Sequence, residues 1–259
     1  MPNLLIDLDG VLYEGDRAVA GAAGAIRWIE GAQIPHLFVT NTTSKPRQAI
    51  VDKLAGFGID VDTEQILTPA VAAVRYLSDR GHHTVALFVA EATRAEFQHF
   101  RCLGPEETSG AEAVVVGDMG EAWDFATLNR AFRLLMADPA PELIALGMTR
   151  YWKAPDGLRL DTAPFVVALA HASGVEPVVV GKPAAAFFEA ALDLLEARAE
   201  DTFMIGDDIR SDVDGAQSLG IRGLLVRTGK FRRADLEGDI EPTAVLDSID
   251  DLQEWWQRH

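Results

Sequence analysis

Asp7 and Asp9 stand two residues apart directly after the apolar run Leu4-Leu5-Ile6, and further segments along the chain carry groups suited to the same chemistry. Thr40-Asn41 follows His36-Leu37-Phe38-Val39. Lys182 follows Pro177-Val178-Val179-Val180-Gly181, and Gly206-Asp207-Asp208 follows Thr202-Phe203-Met204-Ile205, with Asp212 beyond it. A carboxylate can attack phosphorus and form an acyl phosphate, which splits one hard displacement into two easier ones; Asp7 is the candidate nucleophile. A carboxyl group two residues on can protonate a leaving alcohol and later take a proton from water, the role assigned to Asp9. Thr40 and Asn41 offer a hydroxyl and an amide to phosphoryl oxygens, and Lys182 offers positive charge where negative charge moves in the transition state. Asp207 adds a hard oxygen ligand of the kind Mg2+ accepts. Asp208 is placed to bind a metal-held water and Asp212 to hold the Lys182 ammonium.

Each residue has a plainer reading when taken alone. An Asp after a strand often only caps the next helix, and a lysine ahead of Pro183 is usually a solvated loop residue. Their joint order, each at the end of an apolar run, favours one phosphoryl-transfer site. Gly117-Asp118 imitates the Gly206-Asp207 segment without comparable partners and reads as a turn. His82 and His83, in a polar stretch, read as solvated. Cys102 reads as unreactive, and Trp255-Trp256 as packing for the last helix.

Short apolar runs bounded by Gly, Pro or Asp read as buried parallel strands, and ligands of open α/β sheets collect outside the carboxyl ends of such strands. Helical spacing is expected over 20–29, 44–54, 69–77, 125–136, 164–172, 184–197 and 212–219. Further strands are expected at 84–89, 113–116, 143–146 and 222–226. About 30 residues separate Asp9 from Thr40, enough for one crossover helix and strand. The roughly 140 between Thr40 and Lys182 far exceed a βα loop of about 2 to 6 residues. The fold class is therefore α/β, a Rossmann-like parallel-sheet core over 1–77 and 177–259 with an inserted α/β unit over 78–176.

The 259 residues are 48% hydrophobic and carry a formal net charge of -17. Such a surface repels nucleic acid and anionic membranes, whereas a small phosphorylated molecule can still be held by local cations and a metal. One cysteine allows no intrachain disulfide. The start Met1-Pro2-Asn3 lacks a signal-peptide pattern, and no apolar run approaches the roughly 20 residues of a membrane span. The expected location is the cytoplasm.

Through Asp7-Leu8-Asp9-Gly10-Val11-Leu12, Thr40, Lys182 and Gly206-Asp207-Asp208-Ile209-Arg210-Ser211-Asp212, the chain resembles the haloacid dehalogenase superfamily. That signature is Asp-x-Asp, then Thr or Ser, then Lys, then Gly-Asp-x-x-x-x-Asp. An insertion between the Thr and Lys segments resembles the second type of cap domain, found in the subfamily of NagD-like nucleotide phosphatases. Val39-Thr40-Asn41-Thr42-Thr43, Arg150-Tyr151-Trp152-Lys153, Gly181-Lys182-Pro183 and Val226-Arg227-Thr228-Gly229-Lys230-Phe231 extend the likeness.

The resemblance implies Mg2+ held by the Asp7 carboxylate, the Asp9 backbone carbonyl and the Asp207 carboxylate. It implies phosphate contacts from Thr40, Asn41 and Lys182, and homodimers formed through the cap in some members. Dehalogenases of the superfamily lack the second aspartate, so Asp9 favours phosphate. The expected activity is a magnesium-dependent phosphatase acting on a small phosphomonoester, or on a phosphorus–nitrogen or pyrophosphate bond. Arg150, Tyr151, Trp152 and Lys153 either read the substrate or only pack the inserted unit. Two rivals stay open: a phosphotransferase or mutase passing the group to a sugar, and a receiver-like signalling module, which clusters the same residue types in a single small domain.

Overall fold

The computed structural model describes residues 2–154 and 156–259; the side chain of Lys153, one of the expected specificity residues, lies outside what is described. By its contacts the chain divides into two units, Met1–Thr40 with Arg47–Leu67 and Lys182–His259, and Asn41–Pro46 with Thr68–Gly181.

The first unit is built on six parallel strands in the order Ala244–Leu246, Arg222–Val226, Thr202–Gly206, Asn3–Asp7, His36–Val39 and Ile66–Leu67. Asn3–Asp7 is buried along its whole length, as a central parallel strand must be. Alternation of side chains sends Leu4 and Ile6 into one cluster with Phe38, Ile205, Leu224 and the helix residues Ile26, Ile29 and Leu252. Leu225 packs in a separate cluster with Ile209 and Val213. Each fully buried Leu, Ile or Phe contributes about 1.5–3 kcal/mol relative to exposure. Trp255 and Trp256 fasten the last helix, Leu252–Trp256, with rings 5.4 Å from Phe203, in keeping with their expected packing role.

The second unit holds five parallel strands in the order Pro177–Val179, Glu142–Ala145, Ala113–Val116, Thr84–Phe88 and Arg101–Cys102, with a separate antiparallel pair, Tyr151–Ala154 and Gly157–Leu160. Helices Phe125–Leu135 and Thr162–Ser173 bury Ala131, Leu134, Val166 and Leu169 against Val114, Val116 and Leu143. The antiparallel pair was not expected, although Asp156-Gly157 between Tyr151-Trp152 and the alternating Leu158-Arg159-Leu160 is a turn signal in the sequence. Leu158, Arg159 and Leu160 are all exposed, so no buried face marks the strand.

Three expectations are corrected. Pro177–Val179 is not a core strand; it pairs with Leu143–Ala145. Strand Glu142–Ala145, helix Thr162–Ser173 and strand Pro177–Val179 form one short crossover, and consecutive parallel strands joined that way tend to be sheet neighbours. The inserted segment therefore runs to 181 instead of 176. At its other end, helix Pro69–Asp79 counts with the inserted unit, so that segment begins at 68 instead of 78. That helix is tied there by Tyr76, whose hydroxyl donates to Glu142 at 2.9 Å. Glu142 also corrects the reading of His82, which is not solvated: its Nε2 lies 3.1 Å from the Glu142 carboxylate. Among the described residues no helix is long and apolar enough to cross a membrane.

Candidate active site

Asp7 ends one core strand, Thr40 follows the next and Asp207 follows the strand on its other side. Asp7 stands opposite Val39, and Ile6 opposite Ile205. Neighbouring parallel strands thus bring three reactive side chains to one rim, at their carboxyl ends, and all three are buried. Lys182 arrives by another route. It ends no core strand, standing just ahead of helix Ala185–Leu195, yet its Nζ lies 2.6 Å from Asp7 Oδ1 and 2.7 Å from Asp212 Oδ1.

The Gly206-Asp207-Asp208 segment is held by its own acids. Asp208 Oδ1 accepts the N–H groups of Arg210 at 3.1 Å and Ser211 at 3.0 Å, while Asp212 Oδ2 accepts the Asp208 N–H at 3.0 Å. The helix expected over 212–219 is instead a π-wound turn, Ile209–Asp214, followed only by Gly215–Gln217. Such wide turns recur at functional sites; here Asp212 closes the turn with one oxygen and meets Lys182 with the other. Asp9 is exposed, beyond this buried group. It lies at a tight turn in which the Gly10 N–H donates to the Tyr13 carbonyl at 2.7 Å. Gly10 has φ of 88°, and a Cβ there would overlap the Asp207 carboxylate, so the turn admits only glycine.

Carboxylate oxygens of Asp7, Asp207 and Asp212 all lie within 4.8 Å of one another. Burial pushes Asp7 well above the usual carboxylate range; the Lys182 charge pulls it down and Asp212 pushes it up again. Burial also pushes Asp207 up to about 6, against the N–H of Lys230 that it accepts. For Lys182, burial works against the charge, but Asp212 and Asp7 outweigh it and hold the ammonium protonated. The donor set fits a hard divalent cation. Asp207 Oδ2 accepts the Lys230 N–H at 2.7 Å, whereas its Oδ1 is buried with no hydrogen-bond partner among the described residues. Both Asp212 oxygens are engaged, so Asp7 and Asp207 are the carboxylates suited to hold the ion.

The remaining expected residues fall elsewhere. Asn41 belongs by its contacts to the second unit, as do Arg150, Tyr151 and Trp152. Tyr151 and Trp152 are 52% and 41% exposed and lie outside the hydrophobic cluster of that unit, so they do not pack its interior. The Arg150 guanidinium sits 5.9 Å from the Tyr151 ring centre. Asp118 Oδ1 accepts the Gly120 N–H at 2.8 Å, the turn its sequence predicts. The Cys102 thiol is pushed up by burial, in line with an unreactive group.

Sequence reasoning gave no site role to Thr228, Gly229 and Lys230. They follow the core strand Arg222–Val226, and the Thr228 hydroxyl donates to the Gly10 carbonyl. Their one available signal was the resemblance that Val226-Arg227-Thr228-Gly229-Lys230-Phe231 extends; that they leave the strand beside the one Asp207 follows is known only from the fold.

A family profile described as haloacid dehalogenase-like hydrolase matches residues 4–101, and one described as HAD-hydrolase-like matches 179–252. The phospholysine phosphohistidine inorganic pyrophosphate phosphatase of Homo sapiens is 39% identical over 237 residues, covering 90% of this chain and 85% of that protein. The haloacid dehalogenase-like hydrolase domain-containing protein 2 of Homo sapiens is 41% identical over 243 residues, covering 94% and 90%. Among solved structures, a p-nitrophenyl phosphatase from Archaeoglobus fulgidus superposes with a TM-score of 0.89 at 27% identity over 98% of each chain. NagD from E. coli K-12 shares the fold, with a TM-score of 0.87 at 22% identity over 97% of this chain and 98% of that one.

Proposed function

Since the chain belongs to the haloacid dehalogenase-like hydrolases and is a phosphatase of that family, we propose that it is of the NagD-like kind and hydrolyses a small phosphorylated metabolite through an aspartyl phosphate on Asp7. The observation that carries this reading is the buried group of Asp7, Asp207 and Asp212 around the Lys182 ammonium. Carboxylates crowded together out of water destabilise a fold unless cations join them, and acids with strongly displaced pKa values gather where chemistry is done.

An oxygen of Asp7 attacks phosphorus while the bond to the leaving-group oxygen breaks, and Asp9 delivers a proton to that oxygen. Water then attacks phosphorus, Asp9 takes its proton, and the acyl phosphate breaks to free inorganic phosphate and restore Asp7. The Thr40 hydroxyl and the Lys182 ammonium hold phosphoryl oxygens as charge shifts among them, with Asp212 fixing the ammonium. Mg2+, held by Asp7 and Asp207 with the Asp9 carbonyl as a further oxygen, would screen the repulsion between Asp7 and the incoming anion. Arg150 and Trp152 are assigned to substrate choice. The net charge of -17 supports a free metabolite over nucleic acid as substrate.

The test is released phosphate from a panel of phosphomonoesters, phospholysine, phosphohistidine and pyrophosphate, with Mg2+ and with excess chelator. Phosphate release from at least one member, stopped by the chelator, is expected. Full activity in chelator would remove the metal from the mechanism. Transfer of phosphate to an added sugar in preference to water would make the protein a phosphotransferase. A stable phosphoprotein without turnover would make it a signalling module.

A further inference from the structure

We propose that Thr228-Gly229-Lys230 is a positioning segment that presets the Asp207 carboxylate for a divalent cation, acting through its backbone and the Thr228 hydroxyl and not through the Lys230 ammonium. The proposal rests on the reading of Asp207 as a metal ligand.

Strand Arg222–Val226 runs parallel to Thr202–Gly206 with Leu225 opposite Gly206, so the chain leaving it passes directly beside Asp207. Three hydrogen bonds then fix its path. The Thr228 hydroxyl donates to the Gly10 carbonyl, the Gly229 N–H donates to Glu14 Oε1 at 2.6 Å, and the Lys230 N–H donates to Asp207 Oδ2 at 2.7 Å. The segment thereby stitches the turn after Asp7 to the carboxylate after the neighbouring strand. A carboxylate turns easily about its last torsion, whose energy profile is broad and nearly two-fold. Holding Oδ2 on a backbone N–H removes that freedom and leaves Oδ1, buried and without a partner, as the oxygen to be offered.

The glycine at 229 follows from the same packing. Its φ is 65°, and a Cβ there would overlap the Asp207 carboxylate and stand 2.5 Å from Gly10 Cα. Backbone can approach that closely; a side chain cannot. The Lys230 ammonium acts in the opposite sense. It lies 3.7 Å from Asp208 Oδ2 and in the field of Asp207 and Asp7, where its charge repels an arriving cation. One residue thus orients the ligand through its N–H and opposes the ion through its side chain, and the two can be separated by substitution.

The experiment is calorimetric titration of Mg2+ into metal-free protein near pH 8 without substrate, with the metal-free unfolding midpoint as a second readout. Lys230→Pro, which deletes the N–H, and Gly229→Ala should weaken Mg2+ binding by about 10- to 100-fold, the usual loss when a group orienting a metal ligand is removed. Lys230→Ala, which keeps the N–H, should bind Mg2+ at least as tightly as the parent. Should either of the first two fail to fold, Thr228→Val carries the test, with weaker Mg2+ binding at a nearly unchanged midpoint expected. Equal weakening by Lys230→Ala and Lys230→Pro, or parental affinity in Lys230→Pro, Gly229→Ala and Thr228→Val, overturns the proposal. An Asp207→Asn variant that binds Mg2+ like the parent, or a parent that binds none, overturns the premise itself; loss in Asp207→Asn with parental binding in the segment variants overturns the positioning role alone.

Discussion

The ammonium of Lys182 lies 2.6 Å from Asp7 Oδ1, and both side chains are almost wholly removed from water. The pair joins residues 175 positions apart, and Asp212 completes it from the other side of the ammonium. Removing the shared cation leaves two buried carboxylates without a counter-charge, a defect that costs about 3–5 kcal/mol. Lys182→Ala should therefore lower the urea midpoint clearly at neutral pH and recover part of the loss near pH 5, where the carboxylates take up protons. Turnover should fall by at least about a hundredfold, the scale of losing one charge-stabilising donor. Parental stability at every pH would contradict the burial argument.

Asp7→Asn keeps the shape of the nucleophile and an oxygen for Lys182, but the amide cannot attack phosphorus. Phosphate release should drop below about one per cent of the parent, since loss of a covalent route removes several powers of ten. Circular dichroism should be unchanged. Activity above that level would remove Asp7 from the nucleophile role.

Asp9 is exposed, so Asp9→Asn should shift stability by no more than about 0.5 kcal/mol, as for an ordinary surface change. Its effect should appear in the chemistry. An activated ester such as p-nitrophenyl phosphate needs little help from an acid and should still form phosphoenzyme slowly, whereas alkyl phosphates should not react. Equal losses on both esters would make Asp9 a metal or structural residue.

Protonation of the acids sets a direction for stability. Asp207 is pushed up to about 6 by burial, and Asp7 stands above the ordinary carboxylate range for the same first reason. Between about pH 4 and 6 the folded chain then binds more protons than the unfolded one, and stability falls as pH rises through that window. The raised pKa of Lys182 does not offset this, because its stabilising share is lost only in the alkaline range. Urea midpoints of chelated protein should decline from about pH 4.5 to 6.5, and Asp207→Asn should flatten the decline. Added Mg2+ should restore stability above about pH 6, where the ionised carboxylates can bind it. A midpoint that rises through the window would reverse the assignment.

Trp152 is 41% exposed, so Trp152→Ala should leave the unfolding midpoint nearly unchanged. If it reads the leaving group, kcat/KM should fall for the best metabolite and not for acetyl phosphate, as when binding energy remote from phosphorus is lost. Equal falls on both substrates would assign Trp152 a role common to all turnover.

The core strands through Asp7, Thr40 and Asp207 were legible in the sequence because each is an apolar run ended by a reactive residue, and parallel strands deliver their carboxyl ends to one rim. Sequence also told that the stretch between Thr40 and Lys182 was too long for a loop. It misassigned Pro177–Val179, since an apolar run carries no mark of which sheet it joins; the short crossover from Glu142–Ala145 settled that. It expected a regular helix over 212–219, where the chain instead winds a wide turn, Ile209–Asp214, whose Asp212 meets Lys182. Thr228-Gly229-Lys230 was visible only as a likeness, because a backbone N–H has no identity in sequence and its partner depends on which strand lies alongside. Residue types determined what chemistry this chain can do. The folded backbone decided which oxygens Lys182 and Lys230 engage, and so left Asp207 Oδ1 buried without a partner.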